Sequence, residues 1–249
     1  MKSTVIIVAL FLLGYLNVEA QGNEDLTILD DETLLIEDFQ EDEVGKLPYR
    51  WYDRDTNYRL QEYNETVKDT YKYQVLEENG NKFLRYEGSK AMHINLPLRN
   101  RENLNIHETP VLKWDWRVHS IPEDGNEDSK SLNDVAASVY VVFDFGRVLF
   151  KRAPMSIRYT WSSTLPVGTE LSKFFGNQKI VVVASGKEEM GNWVSFERNI
   201  VDDYRRLYGE DPPEKPLAFL ILSDGDDTGE YIKADYDNII LKNSSDTEY

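Results

Sequence analysis

Apolar and polar residues alternate with a period of two along most of this chain, in short runs punctuated by Gly, Asn, Asp and Pro. That period places successive side chains on opposite faces of an extended backbone, so each run reads as a half-buried strand. Strands are expected at Thr33–Phe39, Thr70–Leu76, Lys82–Tyr86, Ala91–Leu96, Val111–Val118, Ala137–Phe145, Arg147–Lys151, Met155–Ser162, Lys179–Ala184, Leu217–Ser223 and Ile232–Leu241. Asn79-Gly80, between the second and third, is a hairpin signal because both residue types tolerate positive φ. One segment departs from the pattern. Phe196, Ile200, Tyr204, Leu207 and Tyr208 recur at helical spacing, with Ser195 as the expected N-cap and Gly209 followed by Pro212-Pro213 as the stop. On a helix over 195–208, Arg198 and Asp202 stand four apart and are expected to pair. One helix among many strands predicts an all-β fold, an antiparallel β-sandwich of jelly-roll type, in one domain over 32–242.

The ends read differently. Residues 1–20 carry one Lys, an apolar stretch from Val5 to Leu13, and Val18-Glu19-Ala20 before Gln21. That is the layout of a secretory signal peptide, and the stretch is shorter than the roughly 20 residues of a membrane span. The expectation is a secreted or periplasmic protein with no membrane span once the signal is cleaved. Residues 21–31 read as an acidic leader and 243–249 as a polar tail.

Alternation also divides each strand into two rows. Leu112, Trp114, Trp116 and Val118 share one side, against Lys113, Asp115, Arg117 and His119. Val139, Val141, Phe143 and Phe145 share one side, against Ser138, Tyr140, Val142 and Asp144. Ile157, Tyr159 and Trp161 oppose Arg158 and Thr160. If these strands adjoin, the aromatic rows form the core and one open face carries Asp115, Arg117, His119, Tyr140, Asp144 and Arg158. Two readings of that face stand: a solvated sheet laced with cross-strand ion pairs, or a surface that binds or cleaves sugar. Trp51 and Trp193 fall in loops, where each either caps the sandwich edge or stacks on a sugar ring.

Composition narrows the chemistry. The net charge is −17, which repels nucleic acid and anionic membranes, so neither is expected as a partner. There is no cysteine, which rules out disulfides and thiolate catalysis, and only three histidines.

The segment Asp224-Gly-Asp-Asp-Thr-Gly, with Asp235 beyond it, has the oxygen spacing of a calcium loop. Its flanks are strands rather than helices, and about 10 Å of extended chain carries Asp235 away, so a full cage does not close. Three readings stay open: a solvated hairpin turn, a calcium site built on Asp224, Asp226 and the Thr228 hydroxyl, and a catalytic carboxylate pair.

Six collinear stretches then point to a family: FQEDEVGKLPYRW, LKWDWRV, DVAASVYVVF, IRYTW, WVSFERNIVDDYRRLYGEDPP and LAFLILSDGDDTGEYIKADYDNII. Their order resembles a secreted bacterial family known only as domain of unknown function 3047, from about Leu34 to Leu241. The resemblance implies an exported β-sandwich with no established activity. It implies motif positions at Trp116, Arg117, Asp134, Tyr159, Trp161, Arg198, Asn199, Asp203, Asp224, Asp226, Thr228 and Asp237. Arg50 stands where that family usually has Gly. The leading functional expectation is a non-catalytic protein that binds carbohydrate or an envelope component, with or without a structural calcium. Two others compete with it. One is a lyase-type polysaccharide enzyme using Arg117 or Arg158 against a uronate carboxylate, with Tyr140 or His119 as base and acid. The other is an envelope scaffold with no small-molecule ligand.

Overall fold

The structure, a computed structural model, describes residues 25–53, 59–60, 72–148 and 151–244, with the backbone alone for 144–148 and 151–153. The expected signal peptide at 1–20, the start of the strand expected from Thr70, and the tail from 245 onward lie outside the described residues. The chain runs through β1 (Thr27–Asp30), β2 (Thr33–Glu37), β3 (Tyr52–Asp53), β4 (Tyr73–Glu78), β5 (Asn81–Gly88), β6 (Met92–Pro97) and β7 (Val111–Ser120). Then come β8 (Val135–Val148), β9 (Lys151–Ser162), β10 (Glu170–Lys173), β11 (Gln178–Ser185), β12 (Val194–Asn199), the helix α1 (Ile200–Tyr208), β13 (Ala218–Asp224) and β14 (Ile232–Lys242). No helix among the described residues is long and apolar enough to cross a membrane.

These strands make an all-β sandwich of two sheets. In the first, β14 pairs with β2, β5 and β7, and β1, β4 and β12 extend it outward. The second runs β10-β11-β9-β8-β13-β6-β3, and only its β9–β11 pair is parallel. The greasy rows meet between the sheets as alternation requires. Trp114 stacks on Tyr159 with ring centroids 5.4 Å apart, and Trp116 meets Trp161 at 6.1 Å. Each is sealed from water, and burying a large apolar side chain contributes about 1.5–3 kcal/mol. The Asn79-Gly80 hairpin forms, with φ of 55° and 82°.

Four expectations are corrected. Residues 194–199 are a strand that pairs with β7, so the helix starts later and Asn199 caps it, accepting from the Asp202 amide at 3.0 Å. Phe196 explains the misreading: four residues before Ile200, it fits a helical stripe, yet it points inward from β12 and stacks on Trp114. Because Arg198 sits on that strand, it holds Asp203 rather than Asp202 (Nε–Oδ2 2.8 Å, Nη2–Oδ1 2.6 Å). Of the separate strand expected at Arg147–Lys151, Arg147 and Val148 belong instead to β8 and Lys151 to β9, Val148 pairing with Lys151, and 149–150 lie outside the described residues. Part of the acidic leader, Thr27–Asp30, is a strand on β2.

Candidate functional site

The expected single polar face does not exist. β7 belongs to the first sheet, β8 and β9 to the second, so Asp115, Arg117 and His119 look out from one side of the sandwich and Tyr140 and Arg158 from the other. Asp144 lies on β8, where only the backbone is described. The lyase set of Arg117, His119 and Tyr140 is therefore corrected: its members lie on different sheets and do not converge on one bond.

On the first sheet the charges are engaged with one another. Asp235 of β14, fully buried, accepts from Arg85 (2.6 and 2.8 Å), Arg117 (2.8 Å) and His119 (2.8 Å). Burial pushes its pKa up, but the hydrogen bonds from Arg85, His119 and Arg117 outweigh that and hold it below the usual carboxylate value. Arg117 also holds Glu78 and lies 4.7 Å from the ring centre of Trp193, the more exposed loop tryptophan. Asp115 accepts from Ser195 and from Asn238. Trp51 is core: fully buried, it donates to Glu37.

The outer face of the second sheet is different. Tyr140 and Val142 of β8 and Ala218, Leu220 and Leu222 of β13 form an apolar cluster separate from the main core. Beside it lies a cavity of about 120 Å³, lined by Tyr140, Arg158, His93, Asp224, Gln178 and Phe174 among others. Arg158 is only 2% exposed. Its Nε donates to Ser138 Oγ at 2.9 Å and its guanidinium lies 5.5 Å from the Tyr140 ring centre, while Nη2 is buried without a partner. Behind it runs a chain of hydroxyls: Ser138 bonds Thr160 at 3.0 Å, and Thr160 donates to Glu127 at 3.2 Å. Glu127 is fully buried on the 121–134 loop and also accepts from Ser162 at 2.6 Å. That loop is held to the end of the sheet by these bonds and to the acidic turn by the Asp227 and Thr228 amides, which donate to Asp134. At the rim, Phe174 and Phe175 both have positive φ (51° and 59°), rare for bulky residues, and both are exposed.

The acidic loop meets this cavity. Oxygens of Asp134, Asp224 and Asp226 lie within 4.8 Å of one another, an arrangement that fits a hard cation. Burial raises Asp224 to about 8, and the neighbouring Asp226 adds to the shift. Thr228 is placed otherwise than expected, its amide and hydroxyl both donating to Asp134 Oδ2. Gly225 is required here, since a Cβ would stand 2.6 Å from the Glu230 carbonyl oxygen. Asp235, as the spacing argument anticipates, is elsewhere.

Alternation found Tyr140 and Arg158 but not Asp134, Glu127 or Phe174. The first two come from a loop whose position no period encodes. The one signal for the third is the adjacent pair of Phe before a Gly. A family profile described as "Protein of unknown function (DUF3047)" matches residues 55–240. No curated protein matches the chain. Among solved structures it is similar to a family 30 carbohydrate-binding module of a cellulosomal cellulase of Clostridium thermocellum. That pair is 11% identical at a TM-score of 0.36, covering 70% of this chain and 83% of that one. A family 29 carbohydrate-binding module from Piromyces equi gives 9%, 0.31, 72% and 80% in the same order. An exo-β-agarase gives 10% and 0.36, covering 88% of this chain but 25% of the agarase. Likeness at this level carries no argument about a ligand.

Proposed function

This chain belongs to the DUF3047 family of proteins of unknown function, and from that premise we propose that it is an exported, non-catalytic carbohydrate-binding protein whose ligand occupies the cavity on the outer face of the second sheet. The observation that carries this reading is the buried, unpartnered Nη2 of Arg158 at a cavity that also presents the Asp224 carboxyl and two aromatic rings. Arginine only donates, a carboxyl oxygen accepts whether or not the group is protonated, and a sugar hydroxyl does both at once, so a donor and an acceptor across one small space suit a polyol. Phe174 and Tyr140 supply apolar rings for the faces of the sugar. The cavity is smaller than the roughly 300–1,000 Å³ of a drug-sized pocket, so it would take only part of one sugar unit, the rest of the ligand lying outside it. Affinity electrophoresis of the purified protein through gels containing soluble polysaccharides tests it. Retardation by at least one polysaccharide is expected, weakened about 2- to 10-fold in Phe174→Ala. Migration unchanged in every gel rejects the reading.

A second element of the proposal concerns the acids beside the cavity. We assign Asp134, Asp224 and Asp226 to a hard cation such as calcium, supported by their mutual distance and by the burial of Asp134. A cation would relieve repulsion among three carboxylates. Millimolar calcium is expected to stabilise the fold by about 1–3 kcal/mol, reversibly by EDTA. Melting curves that superimpose with calcium and with EDTA reject this part alone.

A further inference from the structure

Among the described side chains of the two sheets, four arginines are largely shielded from water, and three of them hold a carboxylate. Arg85 and Arg117 hold Asp235, and Arg198 holds Asp203. Arg158 is the exception. Its partners are the neutral Ser138 hydroxyl and the Tyr140 ring, and no carboxylate pairs with it. A guanidinium does not lose its proton in proteins, so this is a buried cation with no ion-paired carboxylate among the described residues. Such a group is costly, and buried charges are ordinarily paired. Asp224 lines the same cavity and feels the charge of Arg158, which draws its pKa down, but burial and Asp226 outweigh that pull and Nη2 stays without a hydrogen bond.

The surroundings hold Arg158 in place rather than neutralise it. Its Nε is the first donor in a one-way series, Arg158 to Ser138 to Thr160 to Glu127, in which each hydroxyl accepts from one neighbour and donates to the next. Tyr140 fixes the plane of the head group from one side. What is left without a partner is the buried Nη2, on a residue that lines the cavity.

We infer that the ligand carries its own negative charge, and that the cavity recognises an acidic sugar whose carboxylate accepts a hydrogen bond from Arg158 Nη2, with Glu127 as a positioning residue acting through Thr160 and Ser138. This rests on the carbohydrate reading above and names its substrate class. The net charge of −17 opposes an anionic ligand at long range. A charge-assisted hydrogen bond in a shielded site is about twice as strong as a neutral one, and such bonds are the stronger kind.

Isothermal titration of the full mature chain separates the possibilities. The probes are oligomers of galacturonate, mannuronate and glucuronate, each beside its carboxyl-reduced neutral counterpart, and a sulfated galactan. The expected result is binding of at least one uronate oligomer, weaker by about 10- to 100-fold in its reduced form and in Arg158→Gln. Equal affinity for an acidic oligomer and its reduced form overturns the acidic-sugar inference and leaves the carbohydrate reading standing. Binding of the sulfated galactan in place of every uronate overturns the carboxylate assignment. No binding of any glycan overturns both. Stability provides the second readout. Arg158→Gln removes an unpaired buried charge, so its melting temperature is expected to be equal to or above that of the native protein. A marked fall would show that the guanidinium serves the fold and would overturn the inference. Glu127→Gln is expected to weaken uronate binding while leaving the affinity for the reduced form unchanged, and loss of both to the same degree would remove Glu127 from the positioning role.

Discussion

At the scale of single residues, burial and pairing pull the carboxyls in opposite directions. Asp42 and Asp237 are raised to about 7, burial being the largest cause in each. A carboxyl whose pKa is raised in the folded state destabilises that state as pH climbs from about 4, the unfolded value, through 7. Asp235 and Asp203 are lowered because the hydrogen bonds from Arg85 and Arg198 outweigh burial, so their contribution is present above the unfolded value and lost as pH falls below it. The two groups together predict a stability maximum near pH 5 with a decline toward pH 8, and thermal melts across that range check it. A melting temperature that rises from pH 5 to pH 8 contradicts it. Asp203 yields a sharper expectation. It accepts from Arg198, Arg206 and the buried Tyr159 hydroxyl, so Asp203→Ala leaves that hydroxyl without its acceptor and is expected to cost about 1–3 kcal/mol in urea denaturation. Alternation read Arg158 and Tyr140 correctly as facing away from the core. It was silent on their charges, because whether an arginine finds a partner depends on which strand lies beside it.

At the scale of elements, strand existence was legible and strand partnership was not. β7, β8 and β9 all show an aromatic row opposite a polar row, and nothing in that pattern says that β7 pairs with β14 and β12 while β8 pairs with β9 and β13. β10 was missed because Glu170-Leu-Ser-Lys is short and mostly exposed, which leaves little hydrophobic signal. The shift from β12 to α1 was hidden because Phe196 satisfies both periods. Its resolution makes a direct test of the cap: Asn199→Ala is expected to cost about 1 kcal/mol, while Ser195→Ala leaves the helix cap intact. A larger loss from Ser195 than from Asn199 contradicts the boundary. Gly225→Ala is expected to distort the acidic turn, because the new Cβ would meet the Glu230 carbonyl, and a cost of about 1–3 kcal/mol would appear as a lowered denaturation midpoint.

At the scale of the whole molecule, the sandwich keeps its two outer faces apart and treats them differently. The face of the first sheet neutralises its own charges around Asp235. The face of the second buries Tyr140, Leu220 and Leu222 in an apolar cluster of its own and leaves one guanidinium donor unspent on a residue that lines a cavity. That asymmetry is the central claim, and amide chemical-shift mapping during titration with a bound oligosaccharide tests it most directly. The account predicts that the perturbed signals fall on β8, β9, β13 and the turn at Phe174. Perturbations gathered instead around Trp193, Arg117 and Asp235 would contradict it.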